Sequence, residues 1–105
     1  MACYDVFRNE NTQSNKRFPY FLAVQSDLLD PLSTCVIVPL GRAAIVSGRP
    51  TQTLTPTLDI DGETMVMYTP EIAAVYVNVL RKRVCNVAQQ RDAIMRALDF
   101  LFSGV

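Results

Sequence analysis

The chain has 105 residues, and its ten Asp and Glu side chains balance its ten Lys and Arg side chains. Half of the residues are hydrophobic and 19% are charged, which is ordinary for a soluble globular protein. We therefore expect one domain over residues 1–105, with a single hydrophobic core. A net charge of zero argues against a free-standing nucleic-acid binder, which is usually basic.

The chain contains no histidine, which excludes several kinds of catalytic and metal site. It removes the commonest general base, any Ser-His or Cys-His pair, and the preferred zinc ligand. The glycines are scattered, so there is no Gly-rich phosphate-binding loop. We therefore predict that the protein is not an enzyme, with no catalytic residues, no metal and no cofactor.

Two further patterns bear on the compartment in which the protein works. The sequence has neither a long apolar run nor a signal-peptide pattern, so we expect a cytoplasmic protein that does not bind membranes. Cys3, Cys35 and Cys85 are odd in number, widely spaced and without a CxxC pair, which predicts reduced thiols. Cys35, in the most apolar segment, is expected to react slowest.

The first half of the chain alternates apolar segments with polar ones. The patterns predict three strands with a polar loop after the first: Cys3–Arg8, then the loop Asn9–Arg17, then Phe18–Val24 and Thr34–Leu40. Between the second and third strands, Ser26, Asp27 and Asp30-Pro31 favour a turn. Leu28 and Leu29 lie side by side in it. They form either a staple on a neighbouring strand or an exposed apolar contact pair.

The second half contains the clearest hairpin signal, Asp61-Gly62, between the segments Thr53–Ile60 and Glu63–Thr69. Before it, Gly41–Pro50 fits either a turn of helix or a short strand. After it we predict a single helical turn, a last strand and a basic link: Thr69–Ala73, Val75–Leu80 and Arg81–Val84.

The final segment, Asn86–Val105, is predicted to be a helix that runs to the end of the chain. Asn86 is a candidate N-cap, with Gln89 placed to reach back. At helical spacing, one face of this segment is apolar and the opposite face is polar. The apolar stripe consists of Val87, Ile94, Ala97, Leu98, Leu101 and Val105. The polar face consists of Asp92, Arg96, Asp99 and Ser103. Phe100 projects near the polar face.

Six or seven short strands with closely spaced turns favour a small, partly closed barrel of antiparallel strands over a βαβ sheet. The C-terminal helix is expected to cover its open face. The predicted fold class is therefore mostly β, an α+β fold with one C-terminal helix.

Three segments resemble the CcdB family of toxins. They are Val24–Asp30 (VQSDLLD), Val36–Leu40 (VIVPL) and Thr55–Val105, which ends Phe-x-Gly-aliphatic. The resemblance extends over nearly the whole chain and is weakest over Asn9–Arg17 and Ala44–Thr53. It implies an SH3-like barrel and a homodimer that is neutralised by a CcdA-like antitoxin.

The resemblance also implies a target. Toxins of this family are not catalysts: they bind the A subunit of DNA gyrase and trap the enzyme on cleaved DNA, so that contact with DNA is indirect. The implied gyrase-binding residues are Leu28, Leu29, Asp99, Phe102, Ser103, Gly104 and Val105.

The chain departs from the family pattern at two of these positions. Ser103 stands where a tryptophan is usual, and Asp99 replaces a typical amide. The first change leaves open a non-toxic regulatory homologue with weakened gyrase binding. A third hypothesis is an endoribonuclease, because the same barrel supports RNA cleavage without histidine.

Overall fold

The computed structural model describes residues 2–29, 31–42 and 53–104. Within these ranges the chain forms seven strands and one α-helix, in the predicted α+β class. The strands are β1 Asp5–Arg8, β2 Tyr20–Ala23, β3 Thr34–Gly41, β4 Thr57–Ile60, β5 Glu63–Met67, β6 Ala73–Tyr76 and β7 Arg83–Asn86, and the helix is α1 Arg91–Ser103. Single 3-10 turns occur at Asp27–Leu29, Thr69–Glu71, Val77–Val79 and Ala88–Gln90.

All strand pairs are antiparallel, in the order β4-β5-β3-β2-β1-β7, with β6 added on β3. The apolar strand β3 organises this sheet. Tyr20–Ala23 pairs along one side of it. On the other side, the start of β3 pairs with β6 and its last two residues pair with β5. Because one strand serves two partners in succession, the sheet curls into a half-barrel.

The predicted hairpin is confirmed. Asp61 (φ 54°) and Gly62 (φ 89°) both adopt left-handed backbone conformations between β4 and β5. Two successive positive φ angles define the tight turn that matches the twist of antiparallel strands. The N–H of Gly62 also donates to the Asp59 carboxylate at 3.1 Å.

The core has two parts, one on each face of the sheet. The inner cluster lies under α1, which contributes Ile94 and Ala97, and it comprises Val6, Tyr20, Leu22, Val38, Leu40, Leu58, Ile60, Met65, Met67, Val87, Ile94 and Ala97. The outer cluster comprises Phe7, Ala23, Cys35, Ile37 and Leu80. Strands β1, β2 and β3 supply both clusters because their side chains alternate between the two faces.

The predicted helix began too early. Asn86 belongs to β7, and α1 begins at Arg91 after a 3-10 turn. The side-chain amide of Asn86 donates to the Asp5 carboxylate and to the Cys3 carbonyl, which holds this residue in the sheet. Its Oδ1 still accepts from the Ala88 N–H at 2.9 Å, so Asn86 caps the short turn and not the helix.

Two other predicted elements were displaced. The last strand, predicted at Val75–Leu80, lies earlier as β6, and Val77–Val79 forms a 3-10 turn. The segment predicted as a basic link contains the start of β7, which pairs with β1. The segment Gly41–Pro50, predicted as a turn of helix or a short strand, lies almost wholly outside the described residues. None of the helices in the described ranges is long and apolar enough to cross a membrane.

Candidate partner-binding surface

The helix end is shaped by Gly104. This residue is left-handed (φ 76°), and its N–H donates to the Phe100 carbonyl at 2.9 Å. A left-handed glycine is the usual way to end a helix, because other residues meet a steric penalty in this conformation. The helix was predicted to run to Val105, but it ends at Ser103 because Gly104 leaves the helical conformation. A Cβ added at Gly104 would meet nothing within 4 Å.

Large apolar side chains lie exposed at this end. Phe102 is 73% exposed and Phe100 is 39% exposed, while Leu101 is half-buried. Earlier along α1, Ile94 and Ala97 are fully buried, as the apolar stripe predicted. The helix is therefore anchored by its first turns and presents aromatic surface at its last. Val105, the remaining predicted residue at this end, lies outside the described residues.

Asp99 and Ser103 occupy the exposed face of the same turn. The Ser103 hydroxyl donates to the Asp99 carbonyl at 2.7 Å. This bond to the preceding turn is a common use of serine in helices, and it directs the hydroxyl back onto its own helix. Ser103 is therefore exposed, but its hydroxyl is already bonded within its own helix.

The second predicted element, which we call the Leu-Leu turn, is the 3-10 turn Asp27–Leu29. The Ser26 hydroxyl accepts from the Leu28 N–H at 3.2 Å, and the Asp27 carboxylate accepts from the Cys3 N–H. These bonds fix a turn in which Leu28 is 89% exposed and Leu29 is 45% exposed.

Both interpretations of the leucine pair therefore hold in part. Leu29 borders a small cleft with Leu32, Cys35 and Val77, next to the outer cluster, on the side where the staple was expected. Leu28 projects from the turn and is the exposed apolar contact.

The two predicted elements lie against different clusters of one chain. The helix packs on the inner cluster, whereas the Leu-Leu turn borders the cleft beside the outer cluster. The residues predicted to bind gyrase therefore belong to two groups, the helix end and the turn.

A buried carboxylate that the sequence did not single out ties the strand β1 to β7. Asp5 accepts from Arg83 Nε and from the Asn86 amide, both at 2.9 Å, and from the Ala2 N–H at 2.9 Å. Burial by itself raises the pKa of this carboxyl. The hydrogen bonds from Asn86, Ala2 and Arg83 outweigh burial and hold its pKa below the ordinary value. An alternating strand pattern carries no signal for such a network.

The basic segment Arg81–Arg83 lies beside the polar loop that follows β1. Lys82 Nζ is 3.5 Å from the Glu10 carboxylate, and the Arg8 N–H donates to the Lys82 carbonyl at 2.9 Å. Arg81 lines a groove that also includes Phe21, Val75 and residues of this loop. The charged residues that line this groove are Glu10 and Arg81, so it combines apolar side chains with one charge of each sign.

The three cysteines differ in burial, and two of them have shifted thiol pKa values. Cys35 is buried, while Cys3 and Cys85 are half-buried, and burial raises the pKa of both of these thiols. Among residues 2–29, 31–42 and 53–104, no group of three or more Cys, Asp or Glu side chains is placed to hold a metal ion.

Comparison with protein families identifies the class. The family model described as "CcdB protein" matches residues 3–104, nearly the whole chain. The class is that of the toxins of toxin–antitoxin modules. Within that class, the chain belongs to the CcdB family.

Proposed function

We propose that this protein poisons DNA gyrase by binding its A subunit and holding the enzyme on cleaved DNA. The observation that carries the proposal is Phe102, which is 73% exposed on the last turn of a helix whose earlier turns bury Ile94 and Ala97. An aromatic ring held on a rigid element is the typical anchor of a protein interface. Family membership supplies the toxin class, and gyrase targeting is the known role of that family.

The proposed gyrase-binding residues fall into the two groups described above. Phe102 is the anchor, and Gly104 ends the helix without a side chain that would obstruct contact. Leu28 and Leu29 add a second apolar contact. The full proposed set is Leu28, Leu29, Asp99, Phe102, Ser103, Gly104 and Val105. The protein acts by binding and catalyses no reaction itself.

Two further partners complete the proposal. The toxin is a homodimer, and a CcdA-like antitoxin neutralises it through an acidic, disordered tail. The groove beside Arg81 and the loop from Asn9 to Arg17 offers that tail both apolar and basic contacts. Contact with DNA is indirect, through gyrase or through the antitoxin on its operator.

The test is gyrase-dependent linearisation of supercoiled DNA by the purified protein. Wild-type protein should produce linear DNA only with gyrase and ATP, and it should leave RNA intact. Phe102→Ala should abolish the product, because it removes the anchor. Met95→Ala is the matched control, since it truncates an exposed apolar residue of the same helix outside the proposed site. Degradation of RNA without gyrase would instead favour an endoribonuclease.

One observation favours a second candidate, a non-toxic regulatory homologue. Ser103 stands where the family pattern has a tryptophan, and its hydroxyl is bonded to its own helix. Loss of a central aromatic anchor costs an interface about 2 kcal/mol or more. If the second candidate is correct, wild-type protein will not linearise DNA at any practical concentration and Ser103→Trp will. If the first is correct, Ser103→Trp will only lower the concentration required.

A further inference from the structure

We propose that Gln90 is a positioning residue, which sets the direction of α1 and thereby the place of Phe102 by holding the start of the helix to strand β4. The role of Gln90 in orienting the helix stands on the geometry of its side-chain amide. The consequence for gyrase binding rests on the proposed function.

The curled sheet has a gap that Gln90 spans. In the strand path β4-β5-β3-β2-β1-β7, the strands β4 and β7 lie at opposite ends. The curl brings them toward each other, and a cleft of about 350 Å³ lies between them. Asp59 and Asp61 line one side of this cleft, and Cys85 and Asn86 line the other. Gln90 follows β7 in the chain and lines the same cleft, so it lies where the two ends of the sheet meet.

The Gln90 amide takes the place of a neighbouring strand at the edge of β4. Residues of an antiparallel strand alternate between pairs that exchange hydrogen bonds and pairs that do not. Asp59 directs its backbone groups away from β5, because its N–H donates to Gln90 Oε1 at 2.9 Å and its carbonyl accepts from Gln90 Nε2 at 2.8 Å. One side chain thus makes the two bonds that another strand would make.

The side chain of Gln90 is committed to the sheet and not to its own helix. Gln90 is the N-cap residue of α1, a position from which a side chain commonly bonds the N–H groups of the first helical turn. Gln90 makes no such bond. On the other side of the gap, the Val87 N–H donates to the Tyr4 carbonyl at 3.0 Å. The start of α1 is therefore held from both ends of the sheet, with Gln90 as the link to β4.

The middle of α1 acts as a pivot between Gln90 and Phe102. Ile94 and Ala97 are fully buried in the inner cluster, and this close-packed part of the helix cannot move without opening the core. At 1.5 Å per residue, Phe102 lies about 18 Å from Gln90 along the axis, with the buried pair near the midpoint. A rigid helix that tilts about this point moves its two ends by similar distances in opposite directions.

The position of Phe102 should therefore depend on the bonds of Gln90. The Phe102 side chain is 73% exposed, so its place in space follows the helix axis more than contacts with the rest of the chain. Groups that bind a partner have to be held within about 0.5 Å of their productive place. Contact between α1 and the turn Thr69–Glu71 limits the movement to a change of direction, with the helix still on the sheet.

The first test observes Phe102 in the free protein, by fluorine NMR of protein made with fluorophenylalanine. The variant is Gln90→Met, which keeps the aliphatic stem of the side chain and loses both bonds to Asp59. Its Phe102 resonance, identified by its absence in Phe102→Leu, should shift from the wild-type position. Gln89→Met is the matched control, because it makes the same change at the exposed neighbour that lines the same cleft, and it should leave the resonance in place. An unchanged Phe102 resonance in Gln90→Met would overturn the inference.

A second control separates orientation from stability. Ile37→Val removes one methyl group from the outer cluster, on the other face of the sheet. It should lower the melting temperature by a few degrees, as the loss of two hydrogen bonds in Gln90→Met should. The Phe102 resonance of Ile37→Val should stay at the wild-type position. An equal shift in both variants would show that Gln90 acts through stability alone, and this result would also overturn the inference.

The second test measures affinity for the purified gyrase A subunit by calorimetry. Gln90→Met should bind about tenfold more weakly than wild type, whereas Gln89→Met and Ile37→Val should bind as wild type does. Wild-type affinity of Gln90→Met, together with a shifted resonance, would overturn the consequence for gyrase binding. A wild-type protein that does not bind gyrase A would contradict the proposed function and overturn that consequence with it, while the fluorine measurement would still decide whether Gln90 orients the helix.

Discussion

Two glycines with the same backbone conformation allow the helix end to be tested at single-residue scale. Gly104→Glu should abolish gyrase poisoning, because it places a charge in a close apolar contact. The new side chain meets no neighbour within 4 Å, so the fold should survive at a cost of about 1 kcal/mol for the left-handed backbone. The measurements are DNA linearisation and the melting temperature.

Gly62→Glu is the control for this prediction. Gly62 is also left-handed, with open space around it, and it lies in the β4–β5 hairpin away from the proposed site. The variant should lose similar stability and keep its poisoning activity. Wild-type potency of Gly104→Glu would show that gyrase contacts the toxin elsewhere.

Asp5 makes the stability of the fold sensitive to acid. Its pKa is held below the unfolded value of about 3.9, so its stabilising effect is complete above that pH and is lost as the pH falls through the folded pKa. Asp5→Asn should lower the free energy of unfolding by about 2 kcal/mol at pH 7, because charged hydrogen bonds to Arg83 and Asn86 are weakened. Denaturant titrations at pH 7 and at pH 2.5 measure this, and the difference between variant and wild type should shrink at the lower pH.

Glu71→Gln is the matched substitution, since it removes a carboxylate charge from an exposed side chain. It should change the free energy of unfolding by less than about 0.5 kcal/mol at either pH. A difference between Asp5→Asn and wild type that stays constant with pH would mean that the carboxylate charge does not stabilise the fold.

At the scale of elements, the sequence predicted best where the signal is local. The Asp61-Gly62 turn, the strand β3 and the buried stripe of α1 depend on neighbouring residues, and all three are present. The predictions were wrong where a distant partner decides the structure. Arg83 and Asn86 lie in β7 because they bond Asp5, about eighty residues earlier in the chain.

The candidate site shows the same division. The sequence did not determine whether Leu28 is exposed, because a pair of adjacent leucines does not show which of the two faces the core. The separation of the Leu-Leu turn from the helix end depends on the order of strands in the sheet, which periodicity does not encode.

The Leu-Leu turn yields a prediction of its own. Leu28→Ser should leave the melting temperature within about 2 °C of wild type, because the side chain is 89% exposed and stabilises nothing in the fold. The same change should weaken binding to the gyrase A subunit about tenfold, through loss of an apolar contact. Calorimetry with purified gyrase A measures the affinity.

Leu32→Ser is the comparison for this variant, since Leu32 is also exposed and follows the same turn but lies outside the proposed site. Its affinity should match that of wild type. Equal affinity for all three proteins would remove the Leu-Leu turn from the gyrase-binding surface.

At the scale of the whole molecule, the net charge is zero, but basic residues are concentrated in one region. Arg8, Arg81, Lys82 and Arg83 lie together where β1 meets β7. Lys82 is paired with Glu10 and Arg83 with Asp5, so these four basic and two acidic residues carry a net charge of about +2. An acidic antitoxin tail should therefore associate several times more slowly as salt is raised, because long-range attraction is screened. Stopped-flow kinetics with the tail peptide at 0.05 M and 0.5 M salt measure this rate.

Arg81→Gln should lower the association rate at low salt and change the dissociation rate little, whereas Arg96→Gln, on the exposed face of α1, should change neither. An association rate that is flat across this salt range would indicate an apolar mode of recognition.

The place of β1 in the sheet also affects when the protein becomes able to bind. β1 is among the first segments to be synthesised, yet it lies between β2 and β7. Asp5 of this strand cannot form its hydrogen bond with Asn86 until 81 more residues have been synthesised, and the sheet is incomplete until then. At roughly 5–20 residues per second, this delay lasts several seconds on the ribosome. Throughout that interval α1 is not yet synthesised, because it follows Asn86 in the chain, so the nascent protein lacks the helix end of the proposed binding surface.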